Sequence, residues 1–292
     1  MNIGGSTRVV GVLGWPVRHS CSPQMHNAAL SELGLDWVYV AFAVPPENLP
    51  AAVVGVRALG LPGVNVTIPH KQAAAALMDE LDESAVVLGA VNTVCCVEGR
   101  LIGYNTDGPG LVRALQEAGE AVAGRRVALF GAGGSARAVA WALAEAGVAA
   151  LAIINRTPAK AVEVAALVNR AAGREVAEPH ALSDAANRDI VAASDIVIDT
   201  TDVGMYPHAE VVPIVPAEWL GPGQVVCDIT YNPRDTVLLR AARERRARTV
   251  EGLGMLVHQG AIALEMWTGQ PAPVATMRRA LEEALARHQT GA

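Results

Sequence analysis

Two stretches of this chain put reactive residue types at a spacing that suggests chemistry. The first is Asn65-Val66-Thr67-Ile68-Pro69-His70-Lys71. On an extended segment Asn65 and Thr67 share one face, while Val64, Val66 and Ile68 share the other and anchor it. Pro69 suits the first position of a helix, which places Lys71 in a first turn. A cation is out of place there, because a helix N-terminus favours anions. On local grounds Lys71 is either a solvated lysine beside a strand or a proton-transfer group next to two polar side chains aimed at a ligand. The second stretch is Gly131-Ala132-Gly133-Gly134-Ser135-Ala136. It is a G-x-G-x-x-A between an apolar strand, Val127 to Phe130, and a helix ending near Glu145. Such a β-α-β unit of roughly thirty residues turns backbone N–H groups toward a pyrophosphate.

The end of the next strand bears on which dinucleotide is bound. An adenosine ribose with a free 2′-hydroxyl calls for Asp or Glu there, and a 2′-phosphate calls for arginine. The sequence is Asn155-Arg156-Thr157, with Lys160 one turn on and no acid before Glu163. The expectation is NADP(H). Ser20 and Ser22 precede a helix whose N-cap is expected to be Ser22, with Pro23 in the first turn. That end either is merely capped or holds an anion. Asp107, in Asn105-Thr106-Asp107-Gly108, either serves the start of the helix expected from Pro109 or faces a ligand. Gln259 lies on a mainly apolar helix, so its amide serves the core or reaches a ligand. The segments after Ile196 to Asp199 and after Val225 to Ile229 follow strand C-termini, where ligands bind in open α/β sheets.

These residues need an α/β scaffold, and the chain reads as one. Strands at 8–14 and 37–44, the opening stretch, and helices at 22–33, about 47–59 and from Pro69 to about 78 alternate as β-α-β-α-β-α. Residues 92–97 and 101–105 read as a hairpin across Glu98-Gly99-Arg100. A doubly wound pattern then runs from 127 onward, with helices at 234–246, 255–268 and to about 288. With 292 residues, 51% hydrophobic and only 18% charged, a large core is expected and disorder is not. The net charge of −6 argues against non-specific nucleic-acid binding. Arg240, Arg243, Arg245, Arg246 and Arg248 read as one solvated helix face. Cys21, Cys95, Cys96 and Cys227 form no C-x-x-C pair and no metal-ligand spacing. No secretory leader and no run of about 18 apolar residues is visible. A soluble, cytoplasmic protein without metal is expected.

Taken together, Ser20-Cys21-Ser22-Pro23, Asn65 to Lys71, Gly89-Ala90-Val91-Asn92-Thr93, Asn105 to Gly108 and Gly131 to Gly134 resemble the motifs of the shikimate dehydrogenase family, shikimate/quinate dehydrogenases included. Asn155-Arg156-Thr157, Tyr231-Asn232-Pro233 and Met255-Leu256 with Gln259 add to the resemblance, which covers nearly the whole chain. It implies two domains: a substrate domain of residues 1–106 completed by 252–292, and a Rossmann-type NADP domain of residues 107–251. It implies Lys71 and Asp107 as the catalytic pair. Ser20 and Ser22 would hold a substrate carboxylate, and Asn65, Thr67, Asn92, Asp107 and Gln259 the ring hydroxyls, with Tyr231 close by. Gly131, Ala132, Gly133, Gly134 and Ser135 would take the pyrophosphate, and Asn155, Arg156, Thr157 and Lys160 the adenosine phosphate. Ile229, Gly252 and Glu83 would border the nicotinamide. The implied partner is a small molecule, with no nucleic acid or membrane, and a homodimer is compatible with it. Two positions depart from the family's commoner pattern. Asp202 stands where a small or neutral residue is usual, and Arg245-Arg246 where a glycine is usual.

The implied activity is reversible reduction of 3-dehydroshikimate to shikimate with NADPH. Ketone reduction needs a hydride at carbon, from the nicotinamide, and a proton at oxygen. A lysine ordinarily titrates near pH 10 and so carries that proton at neutral pH. General acid catalysis of this kind is worth about 10²–10⁴-fold. Quinate or aminoshikimate dehydrogenases of the same family, and a non-catalytic NADPH-binding regulator, are the rival readings.

Overall fold

Strand β1 (Arg8–Gly14) pairs in parallel with β2 (Trp37–Ala43) on one side and β3 (Gly63–Val66) on the other. These strands belong to the first of two units in the computed structural model, which describes residues 3–290. The unit comprises the residues up to 106 and those from 259 on; residues 107–258 form the second. The first unit also holds α1 (Ser22–Glu32), α2 (Leu49–Ala58), α3 (Lys71–Ala75), β4 (Glu80–Leu81), α4 (Glu83–Leu88), β5 (Thr93–Val97) and β6 (Arg100–Tyr104). Its sheet runs β2-β1-β3-β5-β6-β4. Only β5 is reversed: it runs antiparallel to β3 on one side and to β6 on the other, while β4 pairs in parallel with β6 at the edge. Val53, Val56, Val64, Val66, Val91 and Val94 fill one of its cores.

The second unit is doubly wound. Its strands are β7 (Arg126–Phe130), β8 (Ala150–Asn155), β9 (Ala177–Ala181), β10 (Ile196–Asp199), β11 (Val225–Asp228) and β12 (Arg248–Glu251). All pair in parallel, in the order β12-β11-β10-β7-β8-β9. Alternate residues feed opposite faces, as period-two geometry demands. Val127, Leu129, Ile153 and Ile198 pack with Leu111 and Leu115 of α5 (Asp107–Glu117), Leu143 of α6 (Gly134–Glu145) and Val168 of α7 (Pro158–Ala172). Ala128, Phe130, Ile154 and Val197 pack on the other face with Val191 of α8 (Asn187–Ala192) and Leu239 of α9 (Val237–Glu244). Each fully buried Val, Leu, Ile or Phe among these contributes about 1.5–3 kcal/mol. The strand order reverses direction between β7 and β10, and ligands bind at such switch points. α10 (Leu253–Thr268) begins in this unit and continues into the first, followed by α11 (Val274–Thr290). No helix among the described residues is long and apolar enough to cross a membrane.

Several local expectations are corrected. Pro69 does not open a helix: His70 N–H bonds the Thr67 carbonyl at 2.9 Å, a turn that consumes Ile68 and Pro69, and α3 starts at Lys71. Ile68 therefore leaves the strand and is 74% exposed, so it anchors nothing. The N-cap of α1 is Cys21, not Ser22. The helix expected from Pro109 starts two residues earlier at Asp107, and α9 starts at Val237 behind a Thr236 cap. The arginine cluster is not one helix face. Arg240 and Arg243 lie on α9, Arg248 on β12 pairs at 2.5 Å with buried Glu120, and Arg246 adopts φ +61°. That left-handed conformation favours glycine, which accounts for the glycine usual at this point.

Candidate active site

In the first unit the polar residues singled out from the sequence form one connected network at the ends of β3 and β5. The Asn92 side chain is buried. Its oxygen accepts from the Thr106 N–H at 2.8 Å, and its amide donates to the Thr106 hydroxyl at 3.0 Å. That hydroxyl lies 3.1 Å from the Gln259 carbonyl, to which it donates. The Asn65 amide lies behind them, bonded to the Asn92 carbonyl at 3.2 Å and the Thr93 hydroxyl at 3.1 Å. Asn65 also accepts from the Tyr39 hydroxyl at 2.8 Å. Tyr39 is hydrogen-bonded to the Ser22 side chain, and the Ser20 hydroxyl accepts from the Ser22 N–H at 3.3 Å. Ser20, Ser22, Asn65, Asn92 and Gln259 are thus brought together through Tyr39, Thr93 and Thr106, none of which was singled out from the sequence.

Lys71 sits beside this network on a pinned backbone. The Thr67 N–H bonds Leu13, and the Val91 N–H bonds the Lys71 carbonyl at 2.8 Å. The His70 ring meets the Val44 carbonyl at 2.7 Å. Gly63 in β3 has no room for a Cβ, which would meet the Trp267 indole and the Val94 carbonyl. Trp267 in turn donates to that carbonyl at 3.0 Å. The strand carrying Asn65 is therefore seated against α10 at a glycine, beside that hydrogen bond.

The second unit carries the other set. Asp107, 8% exposed, is the first residue of α5, where its charge suits the helix dipole. Gly131 follows β7 at φ +111°, and a Cβ there would lie 2.5 Å from the Thr200 hydroxyl, so only glycine fits the turn. Gly133 and Gly134 have nothing near their Cβ positions, which leaves the start of α6 and Ser135 open to an anion. Past β8, the Asn155 amide donates to the Thr157 carbonyl at 2.9 Å. Arg156, Thr157 and Lys160 are exposed at the start of α7, whose first turn holds no acid. These residues fit a dinucleotide with an extra phosphate. Ile229 follows β11, and Gly252 lies so close to the Ile229 carbonyl that a Cβ would collide. Tyr231 is two residues beyond Ile229 and half-buried.

Sequence reading also missed a pair of buried acids. Asp199 and Asp228 are register partners at the ends of β10 and β11. Asp199 accepts from the Thr201 N–H, and Asp228 from the Thr230 N–H and the Thr236 hydroxyl. Burial, then the neighbouring Asp228 charge, push the Asp199 carboxyl up to about 7, and burial raises Asp228 as well. The folded chain thus keeps a proton that the unfolded chain releases near 3.8. Stability is full below that pH and falls as pH rises through about 7. Asp199→Asn keeps the acceptor for Thr201 and removes the repulsion. It is expected to raise unfolding free energy at slightly alkaline pH by a few kcal/mol, at about 1.4 kcal/mol per pK unit. Thermal melts of both proteins across pH test this; parallel curves would exclude it.

Three family models match in succession: the shikimate dehydrogenase substrate binding domain over residues 12–94, the shikimate/quinate 5-dehydrogenase domain over 113–246, and the shikimate 5′-dehydrogenase C-terminal domain over 252–282. The shikimate dehydrogenase (NADP(+)) of Moorella thermoacetica is 47% identical over 100% of this chain and 98% of its own. A shikimate 5-dehydrogenase from Listeria monocytogenes, solved with shikimate and NAD, superposes with a TM-score of 0.92 at 38% identity, covering 96% of this chain and 98% of that one. One from Thermus thermophilus, solved with NADP(H) and shikimate, gives 0.83 at 38% identity, covering 95% and 99%. Likeness at this level along the full length, added to the two units and the residues they carry, leaves one assignment: the chain belongs to the shikimate dehydrogenase family.

Proposed function

We propose that the chain is an NADP-dependent shikimate dehydrogenase, catalysing reversible reduction of 3-dehydroshikimate to shikimate in chorismate and aromatic amino acid biosynthesis. The observation that carries this reading is the hydroxyl-and-amide network of Ser20, Ser22, Asn65 and Asn92 beside Lys71. It supplies serines for a carboxylate and amides for ring hydroxyls next to a proton donor. Ser20 and Ser22 fix the carboxylate and with it the ring. Thr67 and Gln259 complete the contacts to the hydroxyls, with Tyr231 bordering the substrate.

NADP(H), held by Gly131 to Ser135 and by Asn155 to Lys160, supplies the hydride when bound, with Ile229 and Gly252 at its nicotinamide end. Lys71 donates its proton to the carbonyl oxygen as that oxygen gains charge. Asp107 orients the lysine and accepts from a ring hydroxyl. In the oxidative direction Lys71 acts as the general base that takes the proton of the reacting hydroxyl.

The test of substrate is side-by-side kinetics with shikimate and quinate at saturating NADP. The expected kcat/KM favours shikimate by at least about 10-fold. Equal values would place the chain among the dual-substrate members, and a preference for quinate would overturn the proposal.

A further inference from the structure

Acids stand in a row at the C-terminal rim of the second sheet. Strand register pairs Asp199 of β10 with Asp228 of β11, and Asp228 with Glu251 of β12. The proposed mechanism gives none of them a part. Glu251 has a cation of its own, Arg234, at 2.9 Å. Asp199 and Asp228 are each 1% exposed. Alternation from Val197 and Val226 puts both carboxyls on the face that α9 covers, and the Thr236 cap of α9 donates to Asp228 at 2.7 Å. Both acids are also built into the turns that leave their strands. Asp199 accepts from the Thr201 N–H at 2.8 Å, and Asp228 from the Thr230 N–H at 2.9 Å. The Ile229 N–H bonds the Asp199 carbonyl at 3.1 Å, and Gly252 packs on the Ile229 carbonyl. Ile229 and Gly252 are the residues proposed above for the nicotinamide end, so the acid pair adjoins the backbone that would carry the ring.

The nicotinamide ring is cationic in NADP+ and neutral in NADPH, while the phosphates are common to both. A fixed negative charge beside the ring therefore acts on the difference between the two forms. The charges that raise Asp199 are those of Asp228 and of Asp202, on the loop after β10. On its other side Asp199 meets Phe130 of β7, which does not titrate. Burial raises the Cys227 thiol, beside Asp228, so it keeps its proton. With Asp199 titrating at about 7, the pair gains charge as pH rises through neutrality.

We propose that Asp199 and Asp228 discriminate between the oxidised and the reduced dinucleotide. Ionised, the pair favours the cationic ring, and proton uptake by the pair weakens that preference. This rests on the cofactor placement proposed above. By linkage, binding of NADP+ near neutrality releases part of a proton that binding of NADPH leaves in place.

Asp199→Asn keeps the acceptor for Thr201 and deletes the charge. Binding of each dinucleotide, without substrate, is measured by calorimetry from about pH 6 to about pH 8.5, a window that brackets the titration. In the wild type the ratio of the Kd for NADPH to the Kd for NADP+ should rise about 3- to 10-fold across that window, the worth of a screened charge pair. In Asp199→Asn the ratio should change less than about 2-fold. A wild-type ratio that did not move, or a variant ratio that moved as much as the wild type's, would overturn the inference while leaving the function intact. A wild-type chain that bound neither dinucleotide would overturn the cofactor reading as well.

Discussion

Replacing Lys71 by methionine is expected to lower kcat for shikimate oxidation by about 10²–10⁴-fold, the range for losing a general acid-base group. Affinity for NADP should change less than about 2-fold, because removing a transition-state interaction leaves ground-state binding in place. The backbone at Lys71 is held independently of its side chain, through Val91 N–H to the Lys71 carbonyl and through the His70 ring to Val44. Methionine keeps most of the aliphatic stem, so the fold around α3 should survive the substitution. Steady-state kinetics and a thermal melt on the same sample separate loss of chemistry from loss of fold. A variant retaining near-normal turnover would remove Lys71 from the mechanism.

Arg156→Ala should raise the KM for NADPH by about 10- to 100-fold, the worth of about 1.5–3 kcal/mol for a hydrogen bond to a charged group. The KM for NADH should move less than about 3-fold. Arg156 is exposed in the turn after β8, and that turn is kept by the Asn155 amide on the Thr157 carbonyl. Deleting a neighbouring guanidinium therefore leaves its shape alone. Two cations at the start of α7, with no acid in its first turn, repel one another and the helix dipole until an anion joins them. Equal losses for both dinucleotides would mean that Arg156 does not read the 2′-phosphate.

The parts of the fold legible in the sequence are those with strong periodicity or fixed turn chemistry. β7, its glycine loop and α6 could be read because an apolar strand running into G-x-G-x-x-A leaves few alternatives. β4 and β9 could not. The first has two residues, and the second, Ala177–Ala181, carries Glu178, Pro179 and His180. As the edge of its sheet β9 tolerates proline and charge and shows no apolar alternation. α4 also escaped, although its Asp82 cap, accepting from the Ala85 N–H at 3.0 Å, was a usable sign.

Within the candidate site the motif residues stood out by type, but the groups that connect them did not. Tyr39 reads as an ordinary core aromatic in Trp37-Val38-Tyr39-Val40, and only its hydroxyl, on Asn65, sets it apart. Asp199 and Asp228 are 29 positions apart, and only strand register makes them neighbours. Pairings of this kind are set by tertiary geometry, which local pattern does not carry.

The most direct measurement is the absorbance of reduced nicotinamide when the purified chain is mixed with 3-dehydroshikimate and NADPH. The absorbance should fall in proportion to enzyme, with shikimate accumulating in equal amount, and it should not fall with Lys71→Met at the same concentration. No NADPH consumption by the wild-type chain, or consumption that Lys71→Met matches, would contradict the assignment of Lys71 as the proton donor of a shikimate dehydrogenase.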